Sequence, residues 1–146
     1  MKTLSIAVIF FLSVIGAKAN TNPDLNFAGA TNFEHQFPQA TNINYKVKDL
    51  FTEVNFIWND MKLQAFYDKQ GNLVATCRAV ELNNLPVAAQ ITLRDQYPGN
   101  VVRDAIEYND PNDGVSYYVT MVGQKATYLL RVSTGGTISV FKKMKN

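Results

Sequence analysis

One histidine, one cysteine and twelve carboxylates are the side chains through which this chain could run acid-base, nucleophilic or metal chemistry. His35 lies beside Glu34 with no second His and no Cys at metal-ligand spacing. A hydrolytic triad would have to use His35. Yet Ser116, Ser133 and Ser139 all fall in strand-like runs or turns, without the G-x-S-x-G elbow that exposes a nucleophile. Asp60, Asp68, Asp110 and Asp113 stand in turn-rich stretches, where a carboxylate binds its own backbone without further function. The run from Asn109 to Gly114 has the composition of a calcium loop but lacks the bidentate Glu that closes one. Gly135 and Gly136 sit in a hairpin and open no helix, so they form no phosphate cradle. Cys77, in the strand-like run from Leu73 to Val80, reads as a small buried hydrophobe, and a lone cysteine makes no internal disulfide. No acid and base pair emerges from spacing. The expectation is a protein that is not an enzyme, with no catalytic residue, cofactor or metal.

The elements that would position any site begin after a targeting segment. Lys2 precedes an apolar run from Leu4 to Ile15, and Ala17-Lys18-Ala19 fits the small-x-small rule, so residues 1–19 read as a signal peptide cleaved after about Ala19. The run is shorter than the roughly 20 apolar residues that span a bilayer. The predicted location is the periplasm or the extracellular space, with no membrane span after signal removal. Lys2 and Lys18 leave with the signal, which brings the remaining chain to 12 basic and 12 acidic residues. Nucleic-acid binding needs an excess of Lys and Arg, so it is not expected. Lys142, Lys143 and Lys145 read as a solvated basic end.

Residues 20–26 form a lead-in rich in Asn, Pro and Thr, and residues 27–146 a single folded unit written in two copies, 27–82 and 83–146. Phe33-Glu34-His35-Gln36-Phe37-Pro38 returns as Leu93-Arg94-Asp95-Gln96-Tyr97-Pro98. Phe27, Ala30, Phe33 and Phe37 make one helical stripe ended by Pro38. In the second copy Pro86 suits a first helical turn, and Pro98-Gly99 stops the helix. The other segments alternate with period two: Ile43, Tyr45, Val47; Val54, Phe56, Trp58; Leu63, Ala65, Tyr67; Leu73, Ala75, Cys77, Ala79. In the second copy the sets are Tyr117, Val119, Met121; Tyr128, Leu130, Val132; and Ile138 with Val140, preceded by a strand from Val101 to Tyr108. Turn residues such as Asn59-Asp60 and Gln70-Gly71-Asn72 predict antiparallel hairpins. The predicted fold is therefore α+β: a tandem helix-plus-four-strand repeat forming one continuous antiparallel sheet of about eight strands, with the helices packed on one face.

If those sets point at the helices, the other face carries Ile57, Phe66, Arg78, Tyr118, Leu129, Arg131 and Phe141, with Thr76 and Lys143 beside them. Large aromatics next to arginines have the composition of protein-binding hot spots, and these seven residues are the candidate partner-binding face. Cross-strand pairing for sheet stability would account for the same aromatics.

Phe37-Pro38-x-Ala40, Val54-x-Phe56-x-Trp58, Ala65-Phe66-Tyr67-Asp68-x-x-Gly71, Leu85-Pro86-x-Ala88, Tyr97-Pro98-Gly99, Tyr117-Tyr118-Val119 and Gly136-x-Ile138 follow one another along the chain. In this order they resemble the PepSY-like proteins exported by Bacteroidetes, which are related in fold to beta-lactamase inhibitory proteins. The resemblance covers the chain from about Phe33 onward. It implies a non-enzymatic module of the periplasm or cell surface, whose broad sheet face grips a partner protein such as a peptidase or another hydrolase. The family shares no catalytic residues that could be carried over. The alternative function is a small-molecule carrier using the concavity of the sheet, and the oligomeric state is left open.

Overall fold

The structure, a computed structural model, describes residues 24–146. The expected signal peptide and most of the expected lead-in therefore lie outside the described residues. Helix α1 (Ala30–Gln36) leads into strands β1 (Thr41–Val47), β2 (Phe51–Trp58), β3 (Met61–Asp68) and β4 (Leu73–Ala79). A 3-10 turn (Leu82–Asn84) and helix α2 (Val87–Gln96) follow, then β5 (Val101–Asp110), β6 (Gly114–Val122), β7 (Ala126–Ser133) and β8 (Ile138–Lys145). All eight strands form one sheet in the order of the sequence, each antiparallel to the next.

Helix α1 is shorter than its apolar stripe, because Gly29 takes a left-handed conformation (φ 99°) and delays the helix start to Ala30. Phe27 consequently packs on Tyr45 and Tyr67 from outside the helix. Only Phe33 is buried within α1, so it and the capping Phe37 must fill the space above β2 and β3, meeting Phe56 with ring centroids 4.8 and 4.7 Å away. Trp58 closes the end of this cluster, edge-on to Phe37 and donating its indole N–H to the Pro38 carbonyl (3.0 Å). Helix α2 lies on a different lining. Ala89 and Leu93, with Leu85 before the helix, pack on Ala105, Val119, Met121, Leu130 and Val132.

Residues paired directly across strands share a face. Val54 pairs with Ala65 under α1, and the next pairs place Thr76 and Asn109 on that same side. Glu107, two residues from Asn109, pairs with Tyr117, which packs against the α2 cluster. Both helices therefore lie over one face. Each is clamped by the last hairpin of its own half. A Cβ on Gly71 would stand 2.7 Å from the Gly29 nitrogen, and one on Gly136 would stand 2.8 Å from the Ala88 Cβ. Side-chain substitution there has no room, and both glycines hold φ above +80°.

Two features of this sheet overturn the expected side-chain parity. In the β3–β4 hairpin the register shifts between Phe66 and Tyr67, so that Phe66 pairs with Ala75 and Tyr67 with Leu73. Val74 is the extra residue of a bulge, and every side chain after it changes face. Ala75, Cys77 and Ala79 thus point away from the helices, contrary to the alternation read from Leu73. Thr76 and Arg78 turn toward them. A second bulge, at Phe141 between the pairs Leu130–Val140 and Leu129–Lys142, turns Lys143 to the helix side, with its ammonium 5.3 Å from the Tyr128 ring centre.

Candidate partner-binding face

The uncovered face is built by cross-strand pairs that leave both helices behind. Glu53 pairs with Phe66, Phe66 with Ala75, Gln64 with Cys77, Cys77 with Tyr108, Ile106 with Tyr118, and Tyr118 with Arg131. The aromatics along this route meet edge to face. Phe51 meets Phe66 at 5.6 Å, Tyr108 meets Tyr118 at 5.8 Å, and Tyr118 meets Phe141 at 5.3 Å between ring centres. Ala75 and Cys77 supply a low floor between the two groups of rings, and both are buried.

Six of the seven residues singled out from the sequence share this face: Ile57, Phe66, Tyr118, Leu129, Arg131 and Phe141. They are not equally available. Phe66 and Tyr118 are only 6% and 9% exposed, locked in by their neighbours, whereas Phe141 is 44% exposed. Arg131 is exposed, and Leu129 and Ile57 are half-buried. Arg78 does not belong here. The bulge at Val74 places it on the helix side, where its Nε and one terminal nitrogen donate to the two oxygens of Glu107 (2.9 and 2.8 Å) and its other terminal nitrogen approaches the Met61 sulfur (3.8 Å). Hydrogen bonding to Glu107 holds this guanidinium above its ordinary pKa. Arg78 thus bridges the two halves between their separate cores.

Phe51, Tyr108, Glu53 and Asp104 also stand on the uncovered face and were not singled out. Tyr108 could have been found from Ala105, because residues three apart in a strand lie on opposite faces. Glu53 anchors a polar cluster, accepting from Gln64 (2.7 Å), Asn55 (3.2 Å) and Lys48. Burial pushes its carboxyl up, and the bonds from Lys48 and Asn55 outweigh that and leave the pKa lowered. Asp104 accepts from Thr120 (2.6 Å) and pairs with Arg103.

The cysteine is sheltered and the turn carboxylates are bound to their own backbone. Burial raises the Cys77 thiol to about 12, which keeps it protonated at neutral pH. His35 is exposed on α1. Asp110 accepts from the backbone N–H of Asn112 (2.8 Å) and Asp113 (3.3 Å), the ordinary work of a turn carboxylate. Among the described residues no group of three or more His, Cys, Asp or Glu converges as a metal site, and no helix is long and apolar enough to cross a membrane. A cavity of about 100 Å³ opens between α1 and β1, lined by residues that include Leu25, Phe33, Phe37 and Ile43. Small-molecule sites take about 300 Å³ or more.

No protein-family model matches the chain, and no curated protein matches it. Solved structures do. A BLIP-like protein from Bacteroides fragilis superposes with a TM-score of 0.72 at 23% identity, over 82% of this chain and 86% of that one. A DUF2874 family protein from Bacteroides ovatus gives 0.70 at 18% identity, over 87% and 89%. A protein from Bacteroides eggerthii, provisionally described as periplasmic, gives 0.70 at 13% identity, over 86% and 89%. The fold is thus that of the BLIP-like proteins of Bacteroides. At these identities the likeness defines the fold and leaves the activity to the site.

Proposed function

We propose that this chain is an exported, non-enzymatic binding module that grips another protein through the face of the sheet turned away from its helices. The observation that carries this reading is the group formed by Tyr118, Phe141 and Arg131. Phe141 presents an exposed ring already steadied by Tyr118 at 5.3 Å, so docking against it costs little side-chain freedom. Arg131 stands across from Tyr118 without an ion-pair partner among the described residues. A steadied aromatic beside an unpaired arginine is the usual make-up of an interface centre. Leu129, beside Arg131 on β7, extends the apolar area, while Ile57 on β2 and buried Phe66 on β3 belong to the first-half part of the same face.

In this reading residues 1–19 direct the chain to the periplasm or the cell surface, the chain is PepSY-like, and its partner is a secreted or envelope protein such as a peptidase or another hydrolase. The BLIP-like description of the Bacteroides fragilis relative supports a protein as the ligand class. The two halves are read as copies of one unit. The repeated order of helix and four strands supports this, as do the matching glycine clamps and register shifts in corresponding hairpins.

The test uses exposed positions, so that folding is preserved. Phe141→Ala combined with Arg131→Glu should leave the melting temperature within about 2 °C, an ordinary result for surface changes. The pair should abolish retention of an envelope protein on the immobilised chain. Equal retention by the substituted protein would refute the assignment of this face.

A further inference from the structure

The charge of this molecule is sorted by position. Residues 114–146 carry Lys125, Arg131, Lys142, Lys143 and Lys145 and no Asp or Glu, so every carboxylate side chain lies earlier in the sequence. Three of those lysines stand on β8, which is one of the two edges of the sheet. None of the three has a salt bridge among the described residues. An edge strand offers a row of unpaired backbone N–H and C=O groups on its outer side. Both edge strands carry a break in register, β1 between Thr41 and Asn44 and β8 at Phe141, and each then runs on through four uninterrupted pairs. They differ in charge, since β1 carries one lysine, Lys46, and β8 three, with Val140 (54%) exposed before them and Met144 (36%) among them.

We infer that the free edge of β8 accepts an extended acidic segment of another protein as a ninth strand. Backbone hydrogen bonds would supply its register. Its carboxylates, all on the helix side, would face Lys143 and Lys145, and its alternate apolar side chains, on the opposite face, would cover Met144 beside Lys142. Two copies of this chain meeting edge to edge through β8 would instead bring six ammonium groups together, so the lysines select against self-pairing while favouring an acidic strand. This inference stands apart from the uncovered face, since it rests on the edge of the sheet and on different side chains.

The probe is a labelled peptide of about ten residues alternating Glu and Val, followed by fluorescence anisotropy with the purified protein at about 0.05 M salt. Binding should exceed that of a Lys and Val peptide by about tenfold or more. Methylating alternate backbone nitrogens of the Glu and Val peptide should weaken binding by about tenfold, because those donors serve the added strand. Lys142→Glu, Lys143→Glu and Lys145→Glu together should reverse the preference toward the Lys and Val peptide. Equal binding of the methylated peptide would overturn strand addition in favour of plain charge attraction. Failure of the Glu and Val peptide to bind better than the Lys and Val peptide would show that the lysines only guard the edge. The methylated peptide is tested on the unaltered protein, so that arm decides even if the triple variant does not fold.

Discussion

The two halves reach the same arrangement with different side chains, one aromatic and one aliphatic. Under α1 the cluster is Phe33, Phe37, Phe56 and Tyr67 with Phe27, Tyr45 and Trp58 at its rim. Under α2 the buried residues are Leu85, Leu93, Val119, Met121, Leu130 and Val132 around Ala89, with Tyr97, Tyr117 and Tyr128 confined to its rim. Helix length explains the difference. Seven residues give α1 one buried position and a capping one, so each must span the gap to the sheet with a ring. Ten residues let α2 bury Ala89 and Leu93 and draw on Leu85 before it, so smaller groups suffice. A short helix can be as well anchored as a longer one when its few contacts are large.

The largest expected effect tests that contrast directly. Phe33→Ala should cost about 4 kcal/mol in urea unfolding, and Leu93→Ala about 3 kcal/mol, since a lost ring leaves the larger cavity. A greater loss at Leu93 would break the comparison. The glycine clamps come next. Gly71→Ala forces a Cβ onto the backbone nitrogen of Gly29, which cannot yield, while Gly136→Ala meets first the Ala88 side chain. Each should destabilise by about 2 kcal/mol, the first more than the second, as read from melting curves.

A smaller effect concerns acid. The folded pKa of Glu53 is lowered, so its contribution to stability is complete above the unfolded carboxylate range and fades as the pH falls through the folded value. Replacing Lys48 by Met should remove about 0.5 kcal/mol near neutrality and flatten the acid limb of a stability profile. Smallest is the thiol. Cys77, raised to about 12 by burial, should resist iodoacetamide in the native protein and react fully in denaturant, as followed by mass spectrometry. Rapid native labelling would mean that the floor between the aromatic groups is open.

Strand number, antiparallel pairing and both helix ends were legible, because alternation and turn chemistry are local. Pro38 and Pro98 follow the capping Phe37 and Tyr97 as the sequence leads one to expect. The facing of β4 was not legible. A bulge adds one residue without changing composition, so the alternation continued through Ala75, Cys77 and Ala79 looks the same whichever side it faces. Leu73 and Val74, adjacent and both apolar, are the only trace that the period slips there. Arg78 was misplaced for that reason alone. Phe66 and Tyr118 were placed on the right face but with the wrong exposure, because side chains on that face bury one another, which no single strand can report.

Every strand of the sheet has its sequence neighbour as its spatial neighbour, and only the β4–β5 pair is joined by more than a tight connection. Zippering can therefore proceed hairpin by hairpin inside each half with little loop-closure entropy. The costliest loop closure falls at the Thr76–Ala79 seam, where the connection through α2 must close before the pair can form. During synthesis the first half would be complete before the second emerges, waiting with β4 as a temporarily bare template.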